Sequence, residues 1–195
     1  MLKRTAAASA ATAIAPRALA QAPPARYGNL GSAEARTLEA FVARLIPSDE
    51  HGPGAVEAGA VRYIDRALGD ALAGSREAYT NGLAALETYA RKQTGRAFTA
   101  LEPAAQDRIV ADLEQDVATG FEPNAAAFFE LVREHTLEGT FADPHYGGNE
   151  AFLGWELIGY PGIRLAVGPD EQRMDAKLEP SRVSAYDLPM FDDAD

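Results

Sequence analysis

The sequence predicts an all-α fold: a single compact domain of five to six helices, with an N-terminal export signal before it and an extended acidic C-terminal arm after it. Three observations carry the fold class. Apolar residues recur at i, i+3, i+4 and i+7 in successive segments. No segment between turn signals shows a convincing alternation of period two. Residues suited to helix ends, among them Gly95, Pro103 and Asn124, stand at the edges of the periodic segments.

Leu38, Phe41, Val42, Leu45 and Ile46 place one apolar face on a first helix. Ser32 is its expected N-cap, Glu34 lies in the first turn where the helix dipole favours an acid, and Pro47 ends it. A second pattern holds Val61, Ile64, Leu68 and Leu72. A third spans about Ser75 to Thr94, with Tyr79, Leu83, Leu86 and Ala90 on one face and Gly95 as a stop. Pro103 fits the first position of a fourth helix, whose face is Ile109, Val110 and Leu113. Asn124 is suited to cap a fifth, which carries Phe128, Phe129, Val132 and Thr136. Asn149 is read as the cap of a short helix with Phe152, Trp155 and Ile158, stopped by Gly159-Tyr160-Pro161-Gly162.

The chain has 195 residues, 47% apolar and 24% charged, which fits one domain with an ordinary core. It contains no cysteine. Disulfides, thiolate zinc sites, protein-ligated iron–sulfur clusters, cysteine nucleophiles and haem attached through Cys-x-x-Cys-His are therefore excluded from this chain. The formal charge of −11 argues against a general affinity for nucleic acid or anionic lipid, which needs a basic footprint.

Residues 1–22 read as a signal peptide. Lys3, Arg4 and Arg17 accompany a weakly apolar, alanine-rich middle, and Ala18-Leu19-Ala20 and Ala20-Gln21-Ala22 offer small residues to a peptidase. The weak hydrophobicity suits a twin-arginine signal. The arginine pair is missing, but Met1-Leu2-Lys3 resembles the end of Arg-Arg-x-Phe-Leu-Lys. Either the true start is expected upstream of Met1, or Lys3-Arg4 is a weak substitute. Residues 23–31 form a linker, 32–162 the helical domain and 163–195 the arm. Nothing after residue 22 approaches the ~20 apolar residues of a membrane span. The arm has eight acids against four bases, yet Val183, Tyr186, Leu188, Met190 and Phe191 interrupt it. It is expected to pack on a partner rather than to join the core.

Two loops, Pro47–Ala55 and Asp143–Asn149, concentrate Pro, Gly, Asp and Asn. They are expected to be rigid and close together, with Gly54 and Gly148 at positive φ. His51, His135 and His145, with nearby acids, could form a stand-alone metal-binding or enzymatic site. His135 and Glu138 share a helix face at i, i+3. No tight ligand spacing supports the metal. The plainer reading has His135 and Glu138 hydrogen-bonding the helix end, and Asp49 and Asp143 organising turns. Gly52, Gly54, Gly147 and Gly148 fit no nucleotide-binding pattern, and no Gly-x-Ser-x-Gly elbow accompanies Ser48.

Three blocks together resemble a known family: FVARLIPSDEHGPGAVEAGAVRYIDRAL from Phe41, FFELVREHTLEGTFADPHYGGN from Phe128, and GWELIGYPG from Gly154. In this order they are similar to gluconate 2-dehydrogenase subunit 3, over about Leu38 to Gly162. The resemblance implies a non-catalytic, chaperone-like small subunit with no cofactor of its own. Its implied partner is a flavoprotein large subunit of the glucose–methanol–choline oxidoreductase family, which holds FAD and oxidises a sugar, sugar acid or polyol. A multihaem cytochrome c, and an iron–sulfur cluster, would also belong to partner subunits. The implied location is the periplasm, at the membrane through those partners. No catalytic, cofactor or metal residue is carried over. The candidates for family motif and partner docking are Pro47, Asp49, Gly52, Pro53 and Gly54 in the first loop and His135 with Glu138 on the fifth helix. The second loop adds Asp143, Pro144, Tyr146, Gly147, Gly148 and Asn149, and the last block adds Trp155, Pro161 and Gly162.

Overall fold

The computed structural model describes residues 27–191. The expected signal peptide lies outside the described residues, as do the first four residues of the linker and the last four of the arm. The described residues form six α-helices and no strand: α1 (Ser32–Leu45), α2 (Ala60–Ala67), α3 (Arg76–Thr94), α4 (Pro103–Glu114), α5 (Ala125–Phe141) and α6 (Leu153–Leu157). None is long and apolar enough to cross a membrane.

Helix ends follow local chemistry, with two corrections. Gly31, not Ser32, is the N-cap of α1, and its N–H donates to the Glu34 carboxylate at 2.7 Å. The Glu34 side chain thus serves a backbone donor that helix geometry leaves open. α2 stops at Ala67, so Leu72 is not on its face; it follows a turn in which its N–H donates to Ala67 O at 2.7 Å. Gly95 ends α3 in the left-handed conformation, Pro103 opens α4, and Asn124 Oδ1 accepts the N–H of Ala127 at 2.8 Å to open α5.

α5 is the central helix and packs against α1, α2, α3, α4 and α6. Its buried face includes Phe128, Phe129, Val132 and Thr136, as the periodicity requires. Phe41 of α1 lies at the middle of an aromatic cluster, with ring centroids 6.4 Å from Phe98, 6.2 Å from Phe128 and 6.4 Å from Phe129. Tyr79 of α3 joins edge-on to Phe128 at 6.3 Å. Burial of each such side chain stabilises the fold by roughly 1.5–3 kcal/mol, so this cluster sets how α1, α3 and α5 sit together.

Residues 27–31, expected to close a linker, are pinned to the body. The buried Asp65 of α2 accepts the N–H groups of Gly28, Asn29 and Leu30 at 2.8, 2.9 and 2.7 Å. The Asn29 side chain adds a bond to Asp65 O at 2.7 Å. At the other end, the described residues after Gly162 form no α-helix. They return to the body and include two single turns of 3₁₀-helix, Ala185–Asp187 and Pro189–Phe191.

Candidate functional site

The first loop is shaped by Asp49. Its carboxylate accepts the N–H of His51 at 2.8 Å, and its backbone exchanges two hydrogen bonds with Gly52 at 3.1 and 3.3 Å. Ala55 N–H donates to Ile46 O at 3.0 Å and folds the loop, with Pro47 and Pro53, back on the end of α1. Gly52 faces the Leu157 side chain of α6. The expectation for Gly54 needs correction: it has no positive φ. It must be glycine because a Cβ would lie 2.5 Å from Ile46 O and 2.6 Å from Ser48 N.

The second loop repeats the device. Asp143 Oδ1 accepts the N–H of His145 at 2.9 Å, and Pro144 opens a single 3₁₀ turn through Tyr146. Gly147 then takes φ 96°, a left-handed value that glycine adopts at no steric cost. Gly148 does not, contrary to expectation; a Cβ there would overlap the carbonyl of Gly139 on α5. In both corrected cases the residue is small so that two stretches of backbone can touch, within the loop and the end of α1 at Gly54 and across to α5 at Gly148.

Asn149 is fully buried and joins four pieces of backbone. Its N–H donates to Gly139 O at 2.8 Å and its Nδ2 to Ala142 O at 2.9 Å. Its Oδ1 accepts the N–H of Gly154 at 2.9 Å and of Trp155 at 3.4 Å, the second and third residues of α6. It therefore serves as a cap, as expected, but from outside the cap position, which Phe152 occupies. Trp155 is buried, and its indole N–H donates to Phe141 O at 2.9 Å. Pro161 O accepts the N–H of Ser181 at 2.8 Å, and Gly162, at φ 84°, lies directly under Ser181.

The loops are linked by residues just beyond them. Glu150 N–H donates to Ala58 O at 2.8 Å, and the Glu150 carboxylate pairs with Arg62 of α2. His135 and Glu138 point into the α3–α2 side of the bundle. His135 is buried, with Nδ1 3.0 Å from Tyr79 OH and its ring stacked on that of Tyr79. Burial holds the His135 pKa below the ordinary imidazole value, although the Glu138 and Glu134 charges act the other way. Glu138 accepts from Tyr63 OH at 2.9 Å. Burial and that carboxylate push the Tyr63 hydroxyl up to about 12.

The three histidines are not brought to one centre. His51 is exposed beside Glu50, His135 is buried against Tyr79, and His145 is exposed on the second loop. Among the described residues no group of three His, Cys, Asp or Glu could hold a metal ion.

Two arrangements had no sequence signal. One is the amide cradle around Asp65. The other is a C-terminal strap, residues 184–191, that closes on the second loop. Ser184 Oγ–H and Ala185 N–H donate to the two oxygens of Asp143 at 2.6 and 2.8 Å. Burial raises the Asp143 pKa, but these bonds and the His145 N–H outweigh it and leave the carboxyl below its ordinary range. Tyr186 stacks on His145 with centroids 3.8 Å apart, and its hydroxyl meets that of Tyr146 at 2.6 Å. Tyr186, expected to anchor on a partner, is thus placed on its own chain.

The family model described as gluconate 2-dehydrogenase subunit 3 matches residues 32–162. No curated protein and no solved structure matches. The matched span runs from the first residue of α1 through both loops to Gly162, and it stops before the strap. The match covers well over half of the chain and takes in both loops: the chain belongs to the gluconate 2-dehydrogenase subunit 3 family.

Proposed function

We propose that this chain is the non-catalytic small subunit of a periplasmic, membrane-associated FAD-dependent dehydrogenase complex acting on gluconate, glucose, fructose or a polyol. In this reading it assists the export, maturation and stability of a flavoprotein large subunit of the glucose–methanol–choline oxidoreductase family. FAD, and any haem c or iron–sulfur cluster, belong to the partner subunits.

The family match motivates the reading, and one observation supports it most. The polar side chains of the two motifs serve the fold: Asp49 and Asp143 each hold a turn, and Asn149 ties α5 to α6. The motifs therefore build a shaped surface. Such a surface suits recognition of another protein. The composition of residues 1–22 supports export.

Co-expression with a flavoprotein of the glucose–methanol–choline oxidoreductase family from the same genome tests the proposal. The two chains should co-purify with bound flavin and reduce dye with one of the four substrate types. The isolated chain should show neither. The large subunit expressed without it should lose yield or export. Turnover by the isolated chain, or an unaided large subunit with full yield and export, sinks the idea.

A further inference from the structure

Closing the strap does not hide its apolar residues. Tyr186, Met190 and Phe191 remain 38%, 61% and 41% exposed, and Tyr146 beneath them 45%. What closure does is gather rings. His145 stacks on Tyr186 at 3.8 Å and meets Tyr146 edge-on at 5.5 Å. Tyr186 is 5.7 Å from Tyr146 and 5.2 Å from Phe191. Four exposed rings thus form one continuous cluster, two from the second loop and two from the strap. The Asp143 carboxylate fixes their register by holding Ser184 and Ala185.

An intramolecular latch needs no such display. Stabilisation of a strap comes from burying its aromatic rings, not from leaving them in water. Adjacent exposed aromatic residues are instead the residue type and arrangement that dominate binding energy at protein interfaces. The surroundings hold more acid than base: Asp187 lies in the strap, and Asp70 and Glu138 line the cavity beside His145 and Tyr146 against the one cation there among the described residues, Arg66.

We propose that the closed strap and the second loop together form a composite docking surface, with His145, Tyr146, Tyr186 and Phe191 as anchors. The partner it fits is a protein surface with an apolar depression rimmed by Lys and Arg. This rests on the reading that the chain binds a flavoprotein large subunit, and it assigns that subunit to this patch. The strap is then neither a free arm that wraps the partner nor an occupant that the partner must displace.

The experiment measures binding of purified full-length chain to the flavoprotein, in parallel for wild type, Tyr186→Ala, Phe191→Ala and Ser184→Ala. Val117→Ala, at another exposed apolar side chain, is the control. Tyr186→Ala and Phe191→Ala should each raise the dissociation constant about tenfold or more. Ser184→Ala, which keeps every ring but unfastens the strap, should weaken binding as well. Val117→Ala should not, and all variants should melt with the wild type. Rising salt should weaken binding. Wild-type binding that these substitutions leave unchanged overturns the docking surface but not the subunit reading. Tighter binding after Ser184→Ala shows the strap to be an obstacle and also overturns it. No binding by wild type overturns both. A dimer of the isolated chain that Tyr186→Ala dissolves gives the patch to a second copy and overturns the proposed occupant.

Discussion

Asn149 Oδ1 accepts the N–H of Gly154 across 2.9 Å, although Asn149 precedes the first residue of α6 by four positions. The three intervening residues, Glu150 to Phe152, turn back so that a buried amide can stand where a cap side chain normally stands. Asn149 and Phe152 both take left-handed φ to allow it, as does Ala151 between them. Asparagine is the best suited of the three to that conformation.

Asn149→Leu should therefore cost about 2–4 kcal/mol, because it leaves the buried Gly154 N–H and the half-buried Ala142 O without their partners. Urea unfolding of the two proteins measures it. A loss below about 1 kcal/mol would mean that water replaces the amide and that α6 does not depend on it.

The two glycines of the second loop should separate by mechanism. Gly147→Ala meets a left-handed backbone and, at 3.3 Å, only the flexible side chain of Arg66, and should cost about 1 kcal/mol. Gly148→Ala drives a methyl into the Gly139 carbonyl and should cost more, at least about 2 kcal/mol, by moving the loop off α5. Thermal melts rank them; the reverse order refutes the account.

Much of this fold was legible because its signals are local. The cap of α5 needs only Asn124 and Ala127, and the stop of α3 needs only Gly95. The turn roles of Asp49 and Asp143 were equally plain, each resting on a bond to an amide two residues on. The rest depends on partners far along the chain. Asp65 serves amides more than 30 positions earlier, and Asp143 serves Ser184, 41 positions later. No periodicity records such pairs. The glycine requirements at 54 and 148 were assigned to backbone torsion because no pattern shows which backbone will touch: the start of its own loop and the end of α1 at Gly54, and α5 at Gly148.

The strap should loosen in acid. The Asp143 pKa is lowered in the folded protein, so its contribution to fastening is fully present above the ordinary carboxylate value, about 4. It is lost as pH falls through the lower native value. Amide exchange at Ala185 and Tyr186 should rise over that interval while the core stays protected. Asp143→Asn should exchange fast at neutral pH and lose the dependence. Equal acid sensitivity in the variant sinks the assignment.

His135 should make the core acid-sensitive at a higher pH. Its folded pKa is depressed by burial, so the unfolded chain takes the proton first. Stability should fall as pH drops below about 6.5 and level off below the native value. His135→Gln should flatten that part of the curve. Tyr79→Phe, which removes the hydroxyl beside Nδ1, should cost about 1–2 kcal/mol at neutral pH. Chemical denaturation from pH 5 to 8 decides both.

Asp65 gives the two ends of the body different mechanical characters. A pull from the N-terminal side loads three amide bonds to one carboxylate together, along with the Asn29 bond, and transmits the force to α2. A pull from the C-terminal side meets the strap first and peels it contact by contact: Phe191 from Tyr186, Tyr186 from His145, then Ser184 from Asp143. Bonds loaded together share a force, whereas bonds loaded in turn each bear all of it. Drawn by its leading end, the domain should travel as a folded body under tension that, applied to its trailing end, already strips away half of the aromatic patch.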